Sequence, residues 1–330
     1  MYRNRIRAAL TCLAFLCLLT AAARTATAAG EYYVADGKIV AISPPLDEKS
    51  VSRAADRFAY LYGTYLLPNR MQAYVAVIPD KSYYLPDEKK RGQMDYAALF
   101  ALVYKKMDYA IPIDITDCLD KDSYYATDSH WRQECLLSAA DRIAGCMLGD
   151  FRADGTHSSK ENLSSSPSYE TKVAADHFIG SYAKAIREAS GWEKRAFSSV
   201  EPDTIRYLTN DLLEQAAAYR YDTDTSGGLY DWDKLDSRNP YDFFLSGPVA
   251  LMRLENPSSG TDRKLVVFRD SYGSSLLPLL LPYYKEILVV DIRYMMSSRL
   301  GDFVDFTAYS GADALYLYST TLLNRSISFR

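Results

Sequence analysis

The chain has 330 residues, 48% hydrophobic and 24% charged, with 16 Gly, 13 Pro and 13% aromatics. That composition excludes collagen, a disordered chain, a coiled coil and a disulfide-dense miniprotein, and it leaves a core large enough for one α/β domain or two smaller ones. Lys plus Arg number 38 against 42 Asp plus Glu, a formal charge of −4, and without a basic stripe nucleic acid is excluded as an expected partner.

In chain order, the first thirty residues read as a cleaved signal peptide over 1–29. Arg3, Arg5 and Arg7 form a positive start, Ala8 to Ala23 an apolar run too short for a membrane span, and Ala26-Thr27-Ala28-Ala29 a small-residue cleavage region. The expectation is an exported protein: secreted, periplasmic or associated with the cell envelope. A hairpin is expected over 31–43 around the Asp36-Gly37 turn, then a helix over Asp47–Tyr65 from the spacing of Val51, Ala54, Phe58 and Leu61. Gln72–Ile78 reads as a strand, Tyr96–Met107 as a helix, Ala110–Ile115 as a strand and Arg132–Leu148 as an amphipathic helix. Thr156–Ser168, rich in Ser, Asn and Pro, reads as a loop. Residues 150–262 are expected to form an insertion or sheet extension, with a helix near 206–218, turns at 222–229 and strands near Phe243 and Leu251. Clear alternation then returns: strand Lys264–Phe268, helix Ser274–Tyr284, strand Ile287–Asp291, helix Leu300–Tyr309 and strand Ala314–Tyr318. Strands alternating with helices imply an α/β domain over 30–330 with a mainly parallel sheet covered on both faces.

Cys12 and Cys17 fall in the signal peptide, leaving Cys118, Cys135 and Cys146. Cys135 and Cys146 sit on one predicted helix about 16 Å apart, too far to pair with each other. Two arrangements remain: Cys118 paired with Cys135 or Cys146, or three unpaired thiols. With three histidines and no C-x-x-C pair, no metal site is expected.

The segment Leu265-Val266-Val267-Phe268-Arg269-Asp270-Ser271-Tyr272-Gly273 carries the clearest chemical signal. An apolar strand ends in a polar turn with a Ser, and a helix follows, so the hydroxyl sits at the carboxyl end of a parallel strand where such sheets bind ligands. The backbone N–H groups there can also stabilise an oxyanion. A strand-to-helix turn with a Ser cap has the same local pattern. A serine nucleophile needs a base. His157 lies in the Ser-rich loop and His177 at the start of a predicted helix, both positions typical of surface residues. His130, in Thr127-Asp128-Ser129-His130-Trp131, has Asp128 two residues before it. An extended segment projects both to one side, where the carboxylate can orient the imidazole.

Thr127-Asp128-Ser129-His130-Trp131 resembles the D-x-H-W signature of the DHHW proteins and the related AlgX- and AlgJ-type alginate O-acetyltransferases, which are SGNH-hydrolase-like. The resemblance continues through Val77-Ile78-Pro79-Asp80-Lys81, Arg269-Asp270-Ser271-Tyr272-Gly273 and Val290-Asp291-Ile292-Arg293-Tyr294. It implies an SGNH-hydrolase-like three-layer α/β fold, with no room after it for the carbohydrate-binding module of AlgX-type proteins. It also implies Ser271 as nucleophile, His130 as general base and Asp128 as the orienting acid. Ser129 stands where the first histidine of the family name would be. For the oxyanion and substrate-binding positions the candidates are Gly247, Tyr272, Arg293, Lys81 and Trp131, beside the Ser271 backbone N–H. Pro248 follows Gly247 where an amide side chain is usual.

In function the resemblance implies O-acyl transfer, acetyl above all, to an extracellular or envelope polysaccharide through an acyl-enzyme. No cofactor is implied. Outside the cell there is no acetyl-CoA, so a membrane-bound O-acyltransferase-type partner is implied as acyl donor, with the chain itself expected to be a monomer. The same three residues would serve a carbohydrate esterase, and a glycan-binding or assembly protein could keep the fold without catalysis. The abundant tyrosines, 28 in all, and Trp192, Tyr230 and Trp232 fit either sugar stacking or core and rim packing.

Overall fold

The computed structural model describes residues 31–89, 91, 94–149, 167–188, 197 and 199–329. The expected signal peptide, His157, Trp192 and most of Thr156–Ser168 lie outside the described residues. In chain order the main elements are β1 (Tyr32–Ala35), β2 (Lys38–Ala41), α1 (Glu48–Leu61), β3 (Gln72–Ile78), α2 (Lys81–Tyr84), α3 (Tyr96–Lys106), β4 (Ile111–Pro112), α4 (Leu137–Leu148), β5 (Glu170–Phe178), α5 (Ser181–Glu188) and β6 (Asp203–Thr209). They continue with α6 (Asp211–Gln215), β7 (Ala217–Arg220), β8 (Thr225–Gly227), β9 (Leu251–Glu255), β10 (Lys264–Arg269), α7 (Gly273–Leu280), β11 (Glu286–Val290), β12 (Asp313–Ser319) and α8 (Thr320–Leu323).

Eight strands form the central sheet in the order β4-β3-β12-β10-β11-β9-β7-β8. From β4 to β11 every pairing is parallel, and β9, β7 and β8 extend the sheet antiparallel. The parallel strands are buried along nearly their whole length, as expected of strands covered on both faces. Alternate residues divide between two cores. Leu265, Val267, Leu315 and Leu317 face Ile143, Leu276 and Leu280, on the side of α4 and α7. Val266, Phe268, Ala314 and Tyr316 face Phe58, Leu61, Leu99 and Val103, on the side of α1 and α3. The protein is therefore a three-layer α/β fold with a mainly parallel sheet, as expected. Many tyrosines serve as core: Tyr124, Tyr125, Tyr241, Tyr284 and Tyr316 are fully buried.

Several sequence expectations shift. The 47–65 helix runs as α1 from an Asp47 cap, whose carboxylate accepts from Ser50 N–H, and continues as a π turn over Tyr62–Leu66. The strand at 110–115 shrinks to Ile111–Pro112, at the edge of the sheet, where Pro112 has no N–H to offer a further strand. The 132–148 helix begins only at Leu137, after a 3₁₀ turn over Gln133–Cys135, so Cys135 and Cys146 do not share one helix. Among the described residues no disulfide forms: Cys118, Cys135 and Cys146 are not bonded to one another. The 300–309 helix is a pair of 3₁₀ turns, Ser297–Asp302 and Phe306–Tyr309, and Phe243 ends a 3₁₀ turn rather than lying in a strand.

The largest correction is at 206–218, where β6, the one-turn α6 and β7 replace the expected helix. Leu208, Leu212 and Leu213 have helical spacing, but Asn210 caps a new helix with its side chain on Leu213 N–H at 3.0 Å and reverses the chain. β5 pairs antiparallel with β6 as a separate two-stranded sheet. His177 lies on β5 and is exposed, not at a helix start.

Candidate active site

Ser271 follows β10 by two residues, with α7 starting at Gly273. β10 is parallel to both its neighbours, so the turn stands at the carboxyl edge of the sheet. Its shape is fixed by Asp270, buried behind it. One carboxylate oxygen accepts from Tyr272 N–H at 3.1 Å, and the other accepts from Ser319 N–H at 2.8 Å and Ser319 Oγ at 2.6 Å. These bonds tie the turn to the end of β12. Beneath it the Arg269 guanidinium is fully buried and donates to the carbonyls of Asp270 and Gly247 at 3.3 and 3.2 Å. Asp291, on the neighbouring strand end, lies 3.6 Å from Arg269. Ser271 itself is half-buried, and among the described residues no protein acceptor engages its backbone N–H.

His130 reaches the serine from the loop between β4 and α4. The loop closes on itself through a bridge between Tyr124 and Trp131, a bent conformation rather than the extended one expected. His130 Nε2 lies 2.8 Å from Ser271 Oγ, and Nδ1 lies 2.6 Å from Asp128 Oδ1. With Asp128 accepting from Nδ1–H, Nε2 is left as acceptor for the serine hydroxyl. Asp128 also accepts from the His130 N–H at 3.0 Å and, at Oδ2, from Ser181 N–H at 2.6 Å. Burial pushes the Asp128 carboxyl up, but the His130 charge, its hydrogen bond and the two N–H donors outweigh it and hold the group well below the usual carboxylate range.

Aromatic rings fix the imidazole from two sides. Tyr241 stacks on it at 3.8 Å with planes 9° apart, and Tyr272 leans against it at 4.8 Å. Trp131 crosses to the serine turn, its indole N–H donating to Tyr272 O at 2.9 Å and Ser275 Oγ at 3.0 Å. Tyr272 returns the link, its hydroxyl donating to Ser129 O at 2.7 Å. The histidine loop and the serine turn are thus bolted together, although 141 residues separate His130 from Ser271.

A chemical reading of this arrangement is direct. An imidazole oriented by a carboxylate and hydrogen-bonded to a half-exposed hydroxyl can take that hydroxyl's proton. Among the described residues no group of three His, Cys, Asp or Glu side chains is placed to hold a metal ion.

No family model and no curated protein matches the chain. Solved structures do. A DHHW family protein from Eubacterium siraeum superposes with a TM-score of 0.63 at 20% identity, over 88% of this chain and 91% of its own. This is the fold of the DHHW proteins. Bacillus cereus PatB1 also superposes with a TM-score of 0.63, at 14% identity over 88% of this chain and 96% of its own, and has been solved with a sulfonyl adduct. A looser likeness, with a TM-score of 0.47 at 11% identity over 84% of each chain, extends to the O-acetyltransferase domain of Pseudomonas putida AlgJ.

On this DHHW-type fold the remaining sequence candidates separate. Tyr272 and Trp131 pack at the site as described. Lys81 is 2% exposed and donates to the carbonyls of Ile39 at 2.8 Å and Asp128 at 2.6 Å, so it supports the histidine loop from behind. Arg293 is forked onto Asp291, with bonds of 2.9 and 2.6 Å. Gly247 is no free oxyanion donor: its N–H bonds Phe244 O at 3.3 Å. Glycine is required there for another reason, since φ is +74° and a Cβ would stand 2.3 Å from Asp242 Cγ. Tyr230 is half-buried, packed against an aromatic cluster with Phe243 and Phe244, whereas Trp232 is 52% exposed at its rim. Sequence reasoning missed Tyr241, Asp270 and Arg269 as parts of the site. The last two lie inside the block that carries Ser271, but nothing around Asn239-Pro240-Tyr241 signals a ring on the histidine.

Proposed function

We propose that the protein is a serine-dependent O-acyltransferase, acting with acetyl on an extracellular or cell-envelope polysaccharide. The observation that carries this reading is the unbroken relay from Asp128 Oδ1 to His130 at 2.6 Å and from His130 to Ser271 Oγ at 2.8 Å. In the first half-reaction Ser271 Oγ attacks the donor's acyl carbonyl while its proton passes to His130 Nε2. The donor's leaving group departs with that proton, leaving an acyl ester on Ser271. In the second, a sugar hydroxyl gives its proton to His130 Nε2 and attacks the ester, and Ser271 Oγ recovers the proton as the acyl–serine bond breaks. The unengaged Ser271 N–H serves the oxyanion formed in each half.

The signal peptide expected at 1–29 would export the protein, and an exported transferase needs its acyl group delivered across the membrane, by a membrane-bound O-acyltransferase-type partner. Transfer and hydrolysis differ only in whether a sugar or water meets the acyl-enzyme. The test incubates the purified protein with p-nitrophenyl acetate, with and without oligosaccharides, and follows nitrophenol release and acetylated sugar. Acetylated oligosaccharide made by the wild type and not by Ser271→Ala supports transfer. Acetate released at the same rate whatever sugar is present makes the protein an esterase. No serine-dependent turnover with any acyl donor leaves a glycan-binding role.

A further inference from the structure

We propose that Asp203 is the positioning residue of this site, the carboxylate through which the start of β6, together with the turn at Gly180–Ser181, holds the loop that presents Asp128 and His130 to Ser271. The inference rests on the reading of those three residues as a catalytic unit. Asp203 opens β6, 75 residues beyond Asp128 in the chain. Its carboxylate accepts from three donors on the histidine loop: Ala126 N–H at 2.6 Å, Thr127 N–H at 2.7 Å and Thr127 Oγ at 2.5 Å. Thr127 Oγ in turn accepts from Gly180 N–H at 2.9 Å, and the next N–H, that of Ser181, goes to Asp128 Oδ2 at 2.6 Å. A further bond runs from Ala183 N–H to Thr127 O at 3.1 Å.

These contacts solve a specific problem. The terminal torsion of an aspartate is broad and roughly two-fold, so packing alone does not choose how its carboxylate is turned. Ser181 N–H holds Oδ2, which leaves Oδ1 facing His130. That works only while the turn at 180–181 and the backbone at 126–128 keep their spacing, and Asp203 and Thr127 set that spacing. Nothing bulkier fits between the two segments: a Cβ on Gly180 would stand 2.3 Å from Asp128 Cβ and 2.5 Å from its Cα. On the other side of the loop the Lys81 ammonium donates to Asp128 O. The charges of Asp128 and Asp203 both support that ammonium. An anion thus gathers the N–H groups of 126–127 while a cation gathers the carbonyl of 128.

The experiment uses Asp203→Asn in the purified protein, read by thermal unfolding, by kcat and KM on p-nitrophenyl acetate, and by the far-downfield proton resonance of His130 Nδ1–H. A carboxamide keeps the size but offers a single acceptor oxygen to the three donors. The expected result is a folded variant whose kcat falls about 100-fold, the loss that a misplacement of about 1 Å produces. KM stays nearly unchanged, and the downfield resonance shifts or is lost. A folded Asp203→Asn with wild-type kcat and an unmoved resonance overturns the proposal.

If that variant does not fold, Thr127→Val decides. It removes one donor to Asp203 and the acceptor for Gly180 while keeping the volume, and a smaller loss of kcat with a displaced resonance is expected. An unmoved resonance in folded Thr127→Val overturns the proposal. Ser271→Ala separates the two readings. Hydrolysis that survives in it contradicts the catalytic role, whereas the resonance reports the geometry of the histidine loop without turnover.

Discussion

The two halves of the site are held by different physics. Ser271 stands on the turn after β10, an interior strand of the parallel part of the sheet, and that turn is backed by two cores and by the buried Asp270 and Arg269. Asp128 and His130 stand on a loop without regular structure, positioned by hydrogen bonds donated by Lys81, Gly180 and Ser181 and by those that Asp203 accepts. Core packing is non-directional and tolerates exchange of similar volumes. A hydrogen-bonded loop depends on named donors and acceptors, each expensive to leave unmade. Ser271 is therefore secured by bulk, and His130 by a small set of polar contacts, several from the Gly180–Ser181 turn and the start of β6.

Substitutions that break each half should differ in kind. The largest effect is expected from Ser271→Ala or His130→Ala, with a loss on the order of 10⁶-fold in kcat for ester turnover. Asp128→Asn should follow, at about 10⁴-fold, because an amide donates where the imidazole N–H needs an acceptor. Both are read by steady-state hydrolysis. Unchanged rates in all three variants would remove the base–nucleophile relay from the account.

Gly180→Ala attacks the loop half alone. Its new methyl overlaps Asp128, so a stability loss of about 1–3 kcal/mol is expected by chemical denaturation, together with a fall in kcat. A conservative change of equal volume in the core behind β10, such as Leu276→Met, should cost less than about 1.5 kcal/mol and leave kcat alone. If both variants lose stability and activity in the same proportion, the distinction between the halves fails.

Lys81 supplies a pH-dependent version of the comparison. Burial pulls its ammonium from 10.5 down to about 7, against the pull of Asp128 and Asp203. Below about pH 7 the group is charged in both folded and unfolded chains, and the penalty for burying it is fully present. As pH rises from about 7 toward 10.5 the folded form has lost the proton and the unfolded chain still holds it, so the penalty is progressively lifted. Relative to Lys81→Met the wild type should therefore gain stability across that window, at up to about 1.4 kcal/mol per pH unit. Denaturant midpoints measured at several pH values check the slope, and a constant difference would contradict it. The smallest effect is expected from Tyr241→Phe. It keeps the ring on His130 and removes the 2.8 Å bond to Ser275, lowering stability by about 1 kcal/mol with kcat nearly unchanged.

The same contrast explains what was legible in the sequence. Parallel strands buried on both faces are short continuous apolar runs, so β3, β10, β11 and β12 could be read directly, and with them the place of Ser271 at a strand end. The spacing of Asp128 and His130 marked the other half. What holds that half was not legible. Asp203 and Gly180 meet the loop across more than fifty residues of chain, through bonds from backbone N–H groups that leave no trace in composition or periodicity. β6 and β7 were hidden for a related reason. Leu208, Leu212 and Leu213 mimic a helical face, whereas two of the strands' partners, β5 and β9, lie elsewhere in the chain. Gly247 was a glycine with a visible turn signal and the wrong expected role: its positive φ and the pressing Asp242 require it.

The central claim is that Ser271 is a nucleophile activated by His130. The most direct test treats the protein with a sulfonyl fluoride, a probe chosen because PatB1 accepts a sulfonyl adduct, and maps the adduct by peptide mass spectrometry. The account predicts a single sulfonyl group on Ser271 in the wild type, formed far more slowly in His130→Ala and absent in Ser271→Ala. Labelling of Ser271 at the same rate with and without His130, or an adduct confined to other residues, would contradict it.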